Sequence, residues 1–362
     1  MSKMLMLHVL GADYGDCLWI EYGDQAKPSR ILVDAGTPGT LKRLKPLLEA
    51  VRSDTPSHEL LVITHVDEDH IGGSLKLIGD PKLAAQFEHV WFNGRRHLLE
   101  ATEEEDFGPV QGEKLTTAIK KSGISWNEHF DHGPVARAVN GSAMQVKLHG
   151  GATLTLLTPS RTKLSEMLGA WDKAIREAGL DPSAPAEPGK IADGEEALGP
   201  INIKSLADSV STDDKAPANG SSIALLFEYG DWSILLGADA HPDDLLAGIR
   251  EYCGEERLKV DVFKLPHHGS KANVTNGLLE AVDAKQIVFS TNGKRFGHPD
   301  REAVARVIRR YKDNEGTELI FNYDTTINRI WRDKGLQRDW KYTAIYGAKE
   351  AGYSIVLKED PV

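Results

Sequence analysis

A two-layered α/β sandwich, with two strand-rich halves and helices outside them, is the fold that this sequence predicts. Three observations predict it. Residues 4–36 fall into three apolar runs, MLMLHVL, CLWIEYG and RILVDAG, parted by the turns GADYGD and QAKPS, as in the antiparallel start of a sheet. A strand and helix order then follows and returns later in the chain, so each half has strands to stack and helices to cover them. Length and composition agree: 362 residues, 40% hydrophobic and 27% charged, with 34 Gly against 17 Pro, describe a core-forming, turn-rich chain and exclude disorder as its main state.

In order along the chain, GTLKRLKPLLEAVR predicts a helix over about residues 39–52, and ELLVITH after it reads as a strand buried on both faces that runs into VDEDHIGG. SSIALLFEYG, a turn at Gly230 and Asp231, and WSILLGADA predict a hairpin; a helix near 242–252 and the strand VDVFKLP, ending in HHGS, complete the second half. Residues 301–362, with helix-like REAVARVIRRYK and strand-like ELIFNYD and YSIVLKE, are expected to finish that second half. ATEEEDF at 101–107 and the stretches 181–200 and 205–220 are rich in acids, Pro, Gly and Ser, and read as mobile surface loops. The expected organisation is one domain over 1–362 with surface insertions near 97–148 and 160–218.

A formal charge of −11, from 43 basic and 54 acidic residues, excludes a general attraction to nucleic acid or to an anionic membrane, so any polyanion must be recognised locally. No run approaches 18 apolar residues and MSKMLMLHVLGADYGD lacks the order of a signal peptide, so a cytoplasmic protein without membrane contact is expected. Two cysteines, Cys17 and Cys253, exclude a disulfide framework and a multi-thiolate zinc site; a metal must be held by carboxylates and some of the 13 histidines.

Thr64-His65-Val66-Asp67-Glu68-Asp69-His70-Ile71-Gly72-Gly73 follows a buried strand and offers four ligands within six residues. In a loop leaving that strand, positions 65 and 67 can face one way while 69 and 70 turn to a neighbouring point, which suits two adjacent cations, and the two glycines permit a tight path afterwards. Alone, the segment also reads as an exposed acidic loop. LLGADA and LPHHGS, following in order, favour the metal reading. His8, His58, His89 and His97 read as surface or packing residues, Cys17 as a small core residue, and Trp91 and Phe92 as strand packing, with Asn93 beyond them lining the cleft as a substrate residue.

These residues resemble the H-x-[HD]-x-D-H-x-G-G signature of the metallo-β-lactamase fold. With Asp67 in the second His position, HVLGADYGDCLWIEYG and ILVDAG at the start, Asn219-Gly220-Ser221-Ser222, LLGADA, KLPHHGS and Gly297-His298-Pro299, the chain is similar to the ComEC/Rec2-like branch from about residue 5 to 300. The resemblance implies a four-layered αββα sandwich of the metallo-β-lactamase type with two divalent metal ions. His65 and Asp67 would serve one metal, Asp69 and His70 the other, and Asp239 would bridge. One of His267 and His268 would close the second site while the other faces the substrate. Asp34 would orient the signature loop through hydrogen bonds without touching metal. Relatives carry a further His before the bridging Asp; His129, His132 and His149 are the candidates. Three Asp ligands make a harder site than imidazoles alone, so manganese competes with zinc.

Water activated between two cations attacks an electrophilic phosphorus or carbonyl carbon without a Ser or Cys nucleophile. Three ligand carboxylates against two divalent charges leave room for an anionic phosphodiester. The second histidine of the 267–268 pair, His298 and Lys271 are candidates for the leaving group, and Lys271, Lys294 and Arg295 for a small binding patch. The resemblance to the ComEC-like branch implies action on DNA, so the expectation is a metal-dependent phosphodiesterase, a nuclease on short or single-stranded DNA or RNA, with Asp69, His268 and His298 catalytic. The alternatives are a lactone, thioester or small-phosphoester hydrolase, and a metal-stapled module that binds a protein partner in a larger system.

Overall fold

The computed structural model describes residues 3–51, 56–99, 110–138, 143–178, 201–314, 316–348 and 351–358. The loop readings at 101–107 and 181–200 lie outside them. The first sheet takes β1 (Lys3–Val9), β2 (Leu18–Asp24), β3 (Lys27–Val33), β4 (His58–Val62), β5 (Phe87–Trp91) and β6 (Ser125–Trp126) in sequence order. The second takes β7 (Met144–Lys147), β8 (Thr153–Leu156), β9 (Leu225–Tyr229), β10 (Trp232–Leu236), β11 (Leu258–Lys264), β12 (Val282–Phe289), β13 (Thr317–Phe321) and β14 (Tyr342–Tyr346). In each sheet the early strands are antiparallel hairpins and the later ones parallel, joined by crossovers.

β15 (Tyr353–Lys358) departs from the expectation for residues 301–362. It leaves the second sheet and pairs antiparallel with β1 in the first, with Leu7 opposite Ile355. The reason is an open edge: β2 covers only one side of β1, and Ile355 joins Leu5, Leu7 and Val9 in the core.

Period-two alternation builds the layers. Ile31, Val33, Leu60 and Val62 face the second sheet, where Val262, Val288 and Ile320 meet them. Leu32, Leu61 and Val90 face outward beneath Leu44 and Leu48 of the helix Leu41–Ala50, and Leu77 of the helix Glu68–Gly79. On the far side Leu235, Phe263 and Ile287 pack under Leu245 and Ile249 of Pro242–Cys253 and Val304 and Ile308 of Arg301–Tyr311. The result is helices, sheet, sheet, helices. β4 is buried on both faces, as its unbroken apolar run requires.

Two local readings change. Residues 205–220 overlap the short helix Ile203–Asp208 and include Pro217–Gly220, and the first buries Ile203 and Ala207 in the core beside Arg301–Tyr311. Arg306 from that neighbouring helix donates to Ser209 O at 2.8 Å and Ser211 Oγ at 3.0 Å, so local polarity concealed a docked segment. The 97–148 region likewise supplies β6 and β7 to the sheets. Among the described residues no helix is long and apolar enough to cross a membrane.

Gly72 and Gly73 also serve differently from the expectation. They lie inside Glu68–Gly79 and not in a turn, and a Cβ at Gly73 would overlap the Ala35 carbonyl while one at Gly72 would press on the Pro38 ring. The glycines let the helix approach the end of β3, and Gly73 N–H donates to Gly36 O at 2.8 Å across that contact. Gly73→Ala is expected to lower stability by about 1–3 kcal/mol, read as a drop in Tm.

His58 is buried between Trp19 and Phe87, with ring centroids at 4.7 and 4.8 Å. Burial holds its imidazole down at about 3, against an ordinary value of 6.5. The unfolded chain therefore takes a proton that the fold refuses. Stability from this group is complete above pH 6.5 and declines as pH falls from 6.5 toward 3. Urea unfolding across that range should show the decline, and His58→Gln should make it shallower.

Candidate metal centre

The C-terminal ends of the parallel strands meet at one edge of the sandwich, and the polar residues just beyond them form one buried cluster. Asp34 ends β3 in the left-handed region, at φ 56°. Its carboxylate accepts from Thr64 N–H at 2.8 Å, from the Thr64 hydroxyl at 2.8 Å and from His70 Nδ1 at 2.7 Å. Having donated to Asp34, the Thr64 hydroxyl accepts from His65 Nδ1 at 3.0 Å. Both rings are thus held by Nδ1, which leaves each Nε2 lone pair facing the cluster.

His65 lies beyond β4, whereas Asp69 and His70 stand in the first turn of Glu68–Gly79, so the signature is a loop and a helix start together. Asp239 lies beyond β10 at the centre: Oδ1 is 3.3 Å from His70 Nε2, and Oδ2 is 4.0 Å from His65 Nε2 and 3.7 Å from both His267 Nε2 and His268 Nε2. His268 donates Nδ1–H to Ser290 O at 2.8 Å and directs Nε2 toward Asp69 Oδ2 at 3.4 Å. Asp16, on the β1–β2 loop, stands 3.4 Å behind His268 Nδ1 and is paired with the fully buried ammonium of Lys264.

The donor set fits divalent cations. His65, His70 and Asp239 form one group, Asp69, His70 and His268 a second, and Asp16, Asp239 and His268 a third, with the donor atoms of each group within 4.8 Å of one another. Asp16 Oδ1, His65 Nε2, His70 Nε2, Asp239 Oδ1 and His268 Nε2 are buried and make no hydrogen bond. The last four of these face one another around Asp239 and would be costly unless a cation met them.

Burial alone would raise the Asp239 carboxyl, but the charges of His70, His268 and His267 hold it well below the usual range. Burial lowers the His268 imidazole, and Asp239 and Asp16 outweigh it, lifting the group to about 9. His70 is raised in the same way by Asp239 and Asp34. Protons and cations compete for the same imidazole lone pairs here, so metal uptake releases protons.

Of the residues expected at the site, His65, Asp69, His70, Asp239 and His268 come together. Asp67 stands at the rim, its side chain 45% exposed and 3.7 Å from His65 Nε2. His267 flanks the cluster, with Nδ1 held by Asn273 Oδ1 at 2.9 Å and by Asp214 at 3.4 Å. The His298 ring lies 5.4 Å from that of His267.

Asn93 departs from its expected place in the cleft. It is buried, and its amide oxygen and nitrogen both clamp the Val135 backbone at 2.9 Å. The Lys271 ammonium is tied to Glu302 at 2.8 Å, which takes up the charge expected to meet substrate. His149 is 77% exposed beside Glu88, His129 accepts from Trp91 Nε1 at 3.1 Å and His132 bonds Trp126 O at 3.0 Å, so none of the three reaches the cluster. Sequence reasoning missed Asp16, Lys264, Asp214 and Asn273. A signal existed for the first pair: a lysine closing the apolar strand VDVFKLP demands a buried carboxylate.

Residues 10–135 match the family model described as Metallo-beta-lactamase superfamily. ComE operon protein 3 of Bacillus subtilis (strain 168) is 28% identical over 131 residues, covering 31% of this chain and 16% of that protein, so the chain spans a small part of that relative. Among solved structures, the metallo-beta-lactamase fold protein YhfI from Bacillus subtilis is 10% identical with a TM-score of 0.43, over 98% of this chain and 100% of that one. Human tRNase Z, short form, is 10% identical with a TM-score of 0.40, over 97% and 98%. CmlA, a diiron β-hydroxylase from Streptomyces venezuelae, is 11% identical with a TM-score of 0.41, over 99% and 54%.

Asp34→Asn keeps the size of the side chain but replaces one acceptor with a donor facing Thr64 or His70. The expected result is metal affinity about 10–100-fold weaker, measured by chelator competition.

Proposed function

Given a fold of the metallo-β-lactamase type, with the superfamily match lying in residues 10–135, we propose that the chain is a metal-dependent phosphodiesterase, a nuclease on short or single-stranded nucleic acid. The observation that carries this reading is the convergence of orphaned donors from His65, His70, Asp239 and His268, with the half-exposed Asp67 carboxylate at their rim. In this reading His65, Asp67, Asp69, His70, Asp239 and His268 would hold two divalent cations. Zinc and manganese both suit the mixed imidazole and carboxylate donors. When bound, the cations supply Lewis acidity and lower the pKa of water.

The chain's own residues do the rest. Asp34 and Thr64 orient His65 and His70, while Ser290 O and Asp16 orient His268. The Asp16–Lys264 pair is neutral as a unit, so the donor carboxylates Asp67, Asp69 and Asp239 set the charge of the centre at −3 against +4 from two divalent ions. An anionic phosphodiester is then tolerated. With Lys271 bound to Glu302, protonation of the leaving oxygen falls to His267 and His298. His267 is placed for it: Nδ1 is anchored on Asn273 and Asp214, and Nε2 is turned to the centre. The reading treats the chain as one catalytic domain.

The test is metal content together with cleavage of labelled single-stranded and duplex DNA under Mn²⁺ and Zn²⁺. Expected are about two metals, cleavage of single strands, and loss in Asp239→Asn and in Asp69→Ala/His70→Ala well beyond the about 10–100-fold typical of outer residues. Bound metal with turnover of a lactone or thioester but of no phosphodiester would overturn the nuclease assignment.

A further inference from the structure

A series of planar groups runs from the cluster to the surface along the segment after β12. His267 Nε2 is 3.7 Å from Asp239. The ring centroid of His298 follows at 5.4 Å from His267, and that of Phe296 at 6.1 Å from His298, with the last two rings inclined by 29°. Tyr14, from the β1–β2 loop, meets Phe296 edge-on at 5.9 Å. The Arg295 guanidinium carbon lies 4.9 Å from the centre of the Tyr14 ring and 5.2 Å from that of Phe296.

The series ends in solvent. Phe296 is 42% exposed, one of four large hydrophobic residues so placed among the described residues, and it is two positions from His298. Arg295 donates to Tyr14 Oη at 2.7 Å and to Glu68 Oε2 at 3.0 Å, so its charge is matched and its plane is fixed. Such a surface has little pull on a phosphate. It offers apolar and π faces, which favour a flat ring laid against them. A substrate that presents a flat ring next to a phosphodiester is a nucleotide whose base is unpaired, since a duplex keeps its bases stacked inside.

We propose that Phe296, supported by His298 and the Arg295–Tyr14 pair, is a stacking ledge for an unpaired nucleobase next to the scissile phosphodiester. The proposal rests on the phosphodiesterase reading of the neighbouring centre. It makes single-strand preference a consequence of ring stacking, in a chain whose charge of −11 gives no general attraction to the backbone.

The experiment is fluorescence-anisotropy binding of labelled hexathymidylate with nuclease-resistant phosphorothioate linkages, against the same backbone carrying abasic sugars. The wild type should bind the thymidylate more tightly; Phe296→Ala should weaken it about tenfold and change abasic binding by less than about twofold, and Phe296→Trp should restore thymidylate affinity. Equal affinity of the wild type for the two probes, or thymidylate affinity unchanged in Phe296→Ala, would overturn the ledge. The cleavage assay separates the two readings. Cleavage by a protein that ignores bases overturns the ledge alone, whereas base-selective binding without cleavage overturns the phosphodiesterase assignment and, with it, the ledge's place beside a scissile bond, leaving Phe296 a base-binding residue only.

Discussion

One carboxylate holds three segments in register. Asp34 sits where β3 ends and accepts from the backbone and hydroxyl of Thr64, where β4 ends, and from His70, where a helix begins. Without it, His70 loses its short hydrogen bond and the Thr64 hydroxyl that holds His65 loses its acceptor. With it, each ring has one nitrogen held and the other presented, so the electrostatics of the cluster follow from hydrogen bonds made outside it. Its backbone lies in the left-handed region, which a residue other than glycine holds only where its surroundings fix it, as these hydrogen bonds do.

The second half meets this arrangement with a buried ion pair. Lys264 and Asp16 are both withdrawn from water, an arrangement whose desolvation cost is offset only by close pairing and further polar contacts. Asp16 has such a contact in His268, and it comes from the loop that joins the first two strands. The pair thereby ties the opening hairpin of one sheet to the strand end that carries His268 in the other.

Much of this was legible in the sequence, and what was not has physical reasons. The period-two runs and the buried strand ELLVITH marked most strands, and the spacing of His65, Asp69 and His70 marked residues that the fold gathers with Asp239 and His268. Local pattern could not show that YSIVLKE returns to β1, because an edge strand reads alike in either sheet. Nor could it show why Gly72 and Gly73 are needed, since the obstacle is Ala35 and Pro38, over thirty positions away. Asn93 misled because a polar residue at a strand end suits a cleft and a loop clamp equally, and only the proximity of Val135 decides between them. The Asp16–Lys264 pair spans two sheets, which places it beyond any short window of sequence.

The return of β15 to β1 bears on how the molecule is made. Residues 3–9 have their second neighbour at 353–358, so the first sheet lacks this edge strand until about 350 further residues have been synthesised. At ribosomal speeds of about 5–20 residues per second, β1 waits tens of seconds with one row of backbone donors and acceptors unpaired. During that interval its outer edge is a template for any extended segment, its own or another chain's. The nascent protein is therefore open to mispairing for as long as residues 353–358 are missing, and removal of this one strand should promote aggregation more than its length suggests.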